Sequence, residues 1–237
     1  MIAHSFVPRD IKPISHTQNP EIANPSLIAL KYSKGIVFAT VPIGVIGNNI
    51  RYKNIDRFIN VSNNVIVSSS GDYSDFQELA RILQEKSHKA QVYSGKREAS
   101  VDDIANNIAH MCYEKRDKQD PYYLQAIVGG VKNDEKKLFY VDMYGNIFQD
   151  KYICTGFSLM ICPPIIDRCY KEDMTLEEAQ DLLVKCFQAL VARQTIIADV
   201  VSFAIVNKDG CQFEKRRISI KYDFESYINK EQFMKTN

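Results

Sequence analysis

Ser26-Leu-Ile-Ala-Leu-Lys-Tyr32 and Ile36-Val-Phe-Ala-Thr-Val41 are two runs of aliphatic, β-branched and aromatic residues separated by Ser33-Lys-Gly35. Runs this short, joined by a turn that ends in glycine, predict a tight β-hairpin. The second run has almost no polar alternation, which predicts a central strand covered on both faces. Val45–Asn54, with Gly44, Gly47, Asn48 and Asn49 as turn formers, reads as a loop. Arg57-Phe-Ile-Asn-Val61 and Val65-Ile-Val-Ser68 then pair around Asn63-Asn64. Further on, Tyr123–Val131, Lys137–Met143 and Ile147–Gln149 make a meander with turns at Lys132–Glu135 and Tyr144–Asn146. Ala198–Asn207 is a last long apolar strand, and Lys208-Asp-Gly210 turns it back into Cys211–Phe213.

Between these strands the apolar period changes from two to helical. Gly71 gives the chain room to turn, Asp72 is placed to cap, and Phe76, Leu79, Ala80 and Leu83 form one stripe. Ser100-x-x-Asp103 is a capping box ahead of Val101, Ile104, Ala105, Ile108, Ala109 and Cys112. His110 and Met111 sit beside that stripe, where a lone histidine reads as packed or capping and not as a ligand. Thr155-Gly156 leads into Pro163-Pro164, which fits the first turn of a helix carrying Ile165, Ile166 and Cys169. Thr175-Leu-Glu-Glu178 caps the strongest helix, with a seam of Leu176, Ala179, Leu183, Cys186, Phe187 and Leu190. Strands, two helices, strands, two helices, strands: this order makes an α+β domain and suits two packed sheets covered by helices on both outer faces.

Composition narrows the function classes. At 237 residues, 45% hydrophobic and 25% charged, the chain is long enough for one large soluble domain. A net charge of +1 gives no nucleic-acid footprint. Lys215-Arg216-Arg217 and the Asp134–Lys137 charge run read as solvated faces. No apolar run approaches the ~20 residues of a membrane span. The six cysteines (Cys112, Cys154, Cys162, Cys169, Cys186 and Cys211) form no C-x-x-C pair and read as reduced thiols of a cytosolic or nuclear protein. The four histidines, His4, His16, His88 and His110, do not fall near them at ligand spacing, so neither metal nor cofactor is expected. Residues 1–16 lack a secretory apolar block and read as a leader, residues 17–24 as an extended arm between Pro20 and Pro25, and residues 25–213 as the domain. Residues 214–237 are charged but dotted with Ile218, Ile220, Tyr222, Phe224, Tyr227 and Phe233, and read as a docking tail.

Thr17-Gln-Asn-Pro20, Gly71-Asp72-Tyr73 with Asp75, Gly129-Gly130, Tyr140-Val-Asp-Met143 with Gly145, and Thr155-Gly156 occur in an order and spacing that resemble the β-type subunits of the 20S proteasome. The likeness spans residues 17 to 206 and is strongest to the non-catalytic kind. It implies a four-layer αββα sandwich of the N-terminal-nucleophile type and a leader removed between His16 and Thr17. It also implies partners: other β and α subunits in stacked heteroheptameric rings, with a C-terminal tail reaching the opposite β ring, in cytoplasm and nucleus.

In active members of that family a threonine freed at the start of the first strand attacks the substrate carbonyl, with an amine as base. The resemblance puts that position at Pro25 and the processing glycine at Asn24. Proline has no hydroxyl. The family's aspartate falls on Val41, its lysine on Arg57, and its supporting aspartate and serine on Gln194 and Ile197. Arginine keeps the charge but does not serve as a base. No catalytic residue is therefore assigned. Two rival readings are an active peptidase using a freed Thr17 or Ser26, and a free binding module on the same fold. Thr17 lies eight residues before Pro25, up to ~26 Å of extended chain from the strand end. Ser158 has no evident base, and the G-x-S-x-G elbow is absent.

Overall fold

The structure is a computed structural model and describes residues 23–24, 26–47, 49–94, 99–194 and 198–219. Two antiparallel sheets face each other. The first holds β1 (Ala23–Asn24), β4 (Ile43–Ile46), β5 (Asn49–Lys53), β6 (Phe58–Ser62), β7 (Val65–Asp72), β8 (Leu124–Lys132), β9 (Glu135–Val141) and β10 (Ile147–Gln149). Its order is β10-β9-β8-β7-β1-β4-β5, with β6 also paired to β7. The second runs β11-β2-β3-β12-β13, where β2 is Ser26–Tyr32, β3 Gly35–Thr40, β11 Tyr152–Gly156, β12 Val200–Asn207 and β13 Gly210–Arg217. Helices α1 (Tyr73–Ser94) and α2 (Val101–Asp117) cover the first sheet; α3 (Ser158–Ile161), α4 (Pro163–Cys169) and α5 (Leu176–Arg193) cover the second.

Alternation along each strand sorts the side chains into three cores. Leu27, Ala29, Ile36, Phe38, Ile66, Ala204 and Val206 meet between the sheets. Their neighbours Ile28, Leu30, Val37, Ala39, Phe203 and Ile205 turn the other way, onto Leu183, Phe187 and Leu190 of α5. Val65, Val67 and Val128 pack on Leu79, Leu83, Ile104 and Ile108. Each such aliphatic or aromatic side chain contributes about 1.5–3 kcal/mol over an exposed one, so a one-residue slip in β3 would exchange two cores at once. All six residues of β3 are buried between β2 and β12, as the unbroken apolar run predicts. The sheets close up at Gly129, where a Cβ would stand 2.6 Å from the Phe38 ring. This is the four-layer αββα sandwich.

Several local expectations hold, and others need correction. Ser100 and Thr175 each form the expected capping box. Asp72 Oδ1 accepts from the amides of Ser74 (2.7 Å) and Asp75 (3.1 Å) at the head of α1. Residues 45–54, by contrast, are no loop. Val45, Ile50 and Tyr52 belong to the β4–β5 hairpin: Val45 pairs with Ile50 and Gly44 with Tyr52, although Asn49–Lys53 is exposed along its whole length and carries Arg51 and Lys53. His110 is neither packed nor capping: it is exposed, with Nε2 3.2 Å from Glu114 on the next turn. A four-residue helix, α3, precedes the proline-led α4.

The strand that carries Phe213 runs on past it. Glu214–Arg217 extend β13, held by backbone pairing to Val200–Phe203. Ile218 is buried against the α5 side and donates its amide to Asp199. Toward the N-terminus, Ala23–Asn24 of the extended arm pair into the first sheet. The leader, residues 17–22 and the tail from Ile220 lie outside the described residues.

All six cysteines are free, and Cys112, Cys154, Cys162 and Cys186 are buried. Desolvation pushes the Cys112 and Cys154 thiols up to about 12, so neither forms thiolate at neutral pH. Iodoacetamide at pH 8 should therefore label the exposed Cys169 first. In peptide mapping, early alkylation of Cys112 or Cys154 in the folded chain would contradict this packing.

Candidate functional site

Of the positions singled out by the family resemblance, Asn24, Val41, Arg57 and Gln194 lie among the described residues. Ser26 opens β2, paired with Gly156 of β11, and Thr40 Oγ1 donates to the Ser26 carbonyl at 2.9 Å. Val41 follows β3 as a fully buried aliphatic side chain in the core between the second sheet and its helices, with no group that could ionise. Ser158 Oγ lies 2.7 Å from the Thr155 carbonyl and 3.0 Å from that of Leu27, so its proton is taken up by backbone oxygens. Pro25 and Ile197 lie outside the described residues.

Arg57 is fully buried. Its Nη1 donates to the Gly71 carbonyl at 3.2 Å, and the guanidinium stands 5.0 Å from the centre of the Tyr73 ring. Its own carbonyl accepts from Ser68 Oγ at 2.7 Å. Desolvation pulls the guanidinium down to about 10, opposed by Tyr73 and Asp72, so it remains charged at neutral pH. Nε and Nη2 have no protein partner. A buried cation over an aromatic ring and against a carbonyl is a packing and electrostatic element, not a proton acceptor.

The backbone just ahead of residue 25 is built into the first sheet. Ala23 pairs with Asp72 of β7 and Val45 of β4, and Asn24 pairs with Gly71. Ala23 thus bridges β7 and β4, while Ser26 already belongs to the second sheet. Asn24's partner Gly71 is itself packed closely against β8: its φ is +100°, and a Cβ there would stand 2.2 Å from the Tyr123 carbonyl. Gln194 caps the end of α5 through its amide and lines a groove of about 740 Å³ with Pro42, Ile43, Ile50 and Arg217. That groove lies beside the position of Val41, on its Pro42 side.

Gln125 is the tie that sequence reasoning missed. Its Oε1 accepts from Ser70 Oγ (3.4 Å) in the first sheet and from the Gly156 amide (3.3 Å) in the second. The available signal was a single amide in the otherwise apolar run Leu124–Val128. The Asp134–Lys137 run is likewise more than a solvated turn. Lys136 Nζ donates to the Tyr32 and Ser33 carbonyls, and Lys137 pairs with Asp102 at 2.8 Å. Among the described residues no cluster of His, Cys, Asp and Glu could hold a metal ion, and no helix is long and apolar enough to cross a membrane.

A family model described as proteasome subunit matches residues 23–206, and the chain belongs to the proteasome subunit family. Within it the likeness is to the β subunits. The chain is 28% identical over 214 residues to proteasome subunit beta type-4 of Arabidopsis thaliana, covering 90% of this chain and 87% of that one. It is 27% identical over 229 residues to proteasome subunit beta type-7 of Saccharomyces cerevisiae, covering 91% and 86%. Proteasome subunit beta 2 of the archaeon Thermococcus gammatolerans is 29% identical over 188 residues, covering 79% and 92%. The chain is a proteasome core subunit of the β type, one component of a multi-subunit assembly.

Proposed function

We propose that this chain is a non-catalytic, structural β subunit of the 20S core: it closes a ring and walls a chamber in which other subunits cut. The observation that carries this reading is β1. Attack by an N-terminal nucleophile requires a free amine at the head of β2, yet here Ala23 is paired on both sides inside a sheet, with Asp72 and Val45, and Asn24 is paired with Gly71. Cutting there would remove the strand that joins β7 to β4. Proline at 25, valine at 41 and arginine at 57 point the same way. Their chemistry is that of packing and fixed charge.

The remaining parts of the proposal concern assembly. The chain would take its place among other β subunits, with α rings outside, in cytoplasm and nucleus. The tail beyond Ser219 would reach a subunit of the opposite ring. Phe157, Leu159 and Met160 of the α3 turn stand exposed, with Ser158 between the first two buried, a patch of the kind that subunit interfaces cover.

Pro25→Thr alone should yield no threonine-type peptidase, because Asn24, Val41 and Arg57 still depart from the active pattern. Turnover of fluorogenic peptides by that single mutant, or labelling of the unmodified chain by a hydroxyl-directed proteasome probe, would return the active reading, including attack by Thr17 or Ser26. Intact-mass measurement of this chain in a purified particle reports its membership and its mature N-terminus together.

A further inference from the structure

The inter-sheet space opens at the β13 edge into a groove of about 640 Å³, lined by Asp56, Phe58, Ser202, Phe213 and Lys215. A row of rings leads out of the core to its mouth. Phe38 meets Phe58 edge-on at 6.4 Å, and Phe58 meets Phe213 at 6.3 Å with the planes tilted 34°. Phe213, the last ring, is 54% exposed. Ser202 is 6% exposed, and its Oγ has no hydrogen-bond partner. A buried hydroxyl left unpaired is costly, and such groups are seldom left so. At the rim, Lys215 Nζ stands 3.6 Å from Asp56, whose side chain is 84% exposed and keeps acceptor capacity for another cation. An apolar floor, one orphan hydroxyl and a rim on which two carboxylates, Asp56 and Glu214, stand against one ammonium, Lys215, are distinct observations that converge on one opening.

The geometry points to this groove as the seat of an aromatic side chain with a polar edge, a tyrosine or tryptophan, carried next to a basic residue on a neighbouring polypeptide of the assembly. The inserted ring extends the Phe38–Phe58–Phe213 row. Its hydroxyl or indole N–H satisfies Ser202 Oγ, and the adjacent cation reaches Asp56. A half-exposed apolar floor inside a charged rim is the anatomy of an interface hot spot. Complementary charge is what selects a basic neighbour for the ring over an acidic one. The inference rests on the reading of this chain as an assembled subunit.

The chain contains no tryptophan, so in a titration with Ac-Arg-Trp-NH2 all indole emission comes from the probe. The full-length chain should shift that emission to the blue, saturably. Ser202→Ala should weaken binding about fivefold. Phe213→Ser, at a half-exposed position, should abolish it with the fold intact. Asp56→Asn should weaken Ac-Arg-Trp-NH2 but not Ac-Ala-Trp-NH2. No saturable shift, or equal binding by the Phe213→Ser and wild-type chains, would overturn the site.

Co-expression with the other core subunits supplies the second arm. Phe213→Ser should be depleted from particles in competition with wild type, whereas equal incorporation refutes a polypeptide occupant. If neither chain enters particles, the subunit reading fails and the proposed occupant with it.

Discussion

Gly71→Ala is expected to destabilise the domain by on the order of 3–4 kcal/mol and to leave it unable to enter particles. Three costs add at this one residue. The backbone holds φ at +100°, a region L side chains rarely adopt. The new Cβ would stand 2.2 Å from the Tyr123 carbonyl and 2.9 Å from Leu124 Cα, both backbone atoms that cannot swing aside. Shifting β7 to relieve the overlap would break the pairing of Gly71 with Asn24 and the Nη1 contact of Arg57. It would also disturb the Asp72 cap of α1. Urea unfolding of the full-length chain checks the magnitude. A midpoint equal to wild type would mean that β7, β8 and β1 are not packed this closely.

Leu159→Asp combined with Met160→Asp is expected to do the opposite: leave the fold alone and stop assembly. The two side chains are 57% and 80% exposed on a four-residue helix. Surface changes of this kind usually stay within about 0.5 kcal/mol. Burying two carboxylates in an apolar interface without partners costs far more, so incorporation should fall by tenfold or more, at the level of an interface hot spot. Native electrophoresis of co-expressed subunits separates the outcomes. Normal incorporation with the unfolding midpoint unchanged would show that the α3 patch faces solvent in the particle. A lowered midpoint would show that it is part of this chain's own core.

Elements with a strong local signal were legible in the sequence. The β2–β3 pair announces itself through unbroken apolar runs, and α2 and α5 through capping boxes followed by a stripe. Elements that depend on distant partners were harder to read. The β4–β5 hairpin looks like a loop because its strands are short and carry Gly44 and Asn49, and only pairing with β1 gives β4 a second neighbour. Glu214–Arg217 read as tail because charge dominates their composition. In the fold each basic group finds a local partner: Lys215 near Asp56, Arg216 near Glu214 and Asp181, Arg217 at 2.9 Å from Asp199.

The site divides in the same way. Which residues stand at the family's positions can be read from order and spacing. That Arg57 is sealed under Tyr73, or that Gln125 spans both sheets, comes from atoms more than a dozen residues apart in the chain.

Two residues of β1 have a mechanical consequence. Among the described residues, the β4–β5 hairpin is joined along the sheet to β7 through Ala23, which pairs with both Val45 and Asp72, while Asn24 adds a pair to Gly71. The rigidity of that corner therefore depends on β1 as well as on the hairpin's own packing. A protease that nicked the backbone at this stitch would leave the hairpin held by the packing of Ile43 and Val45.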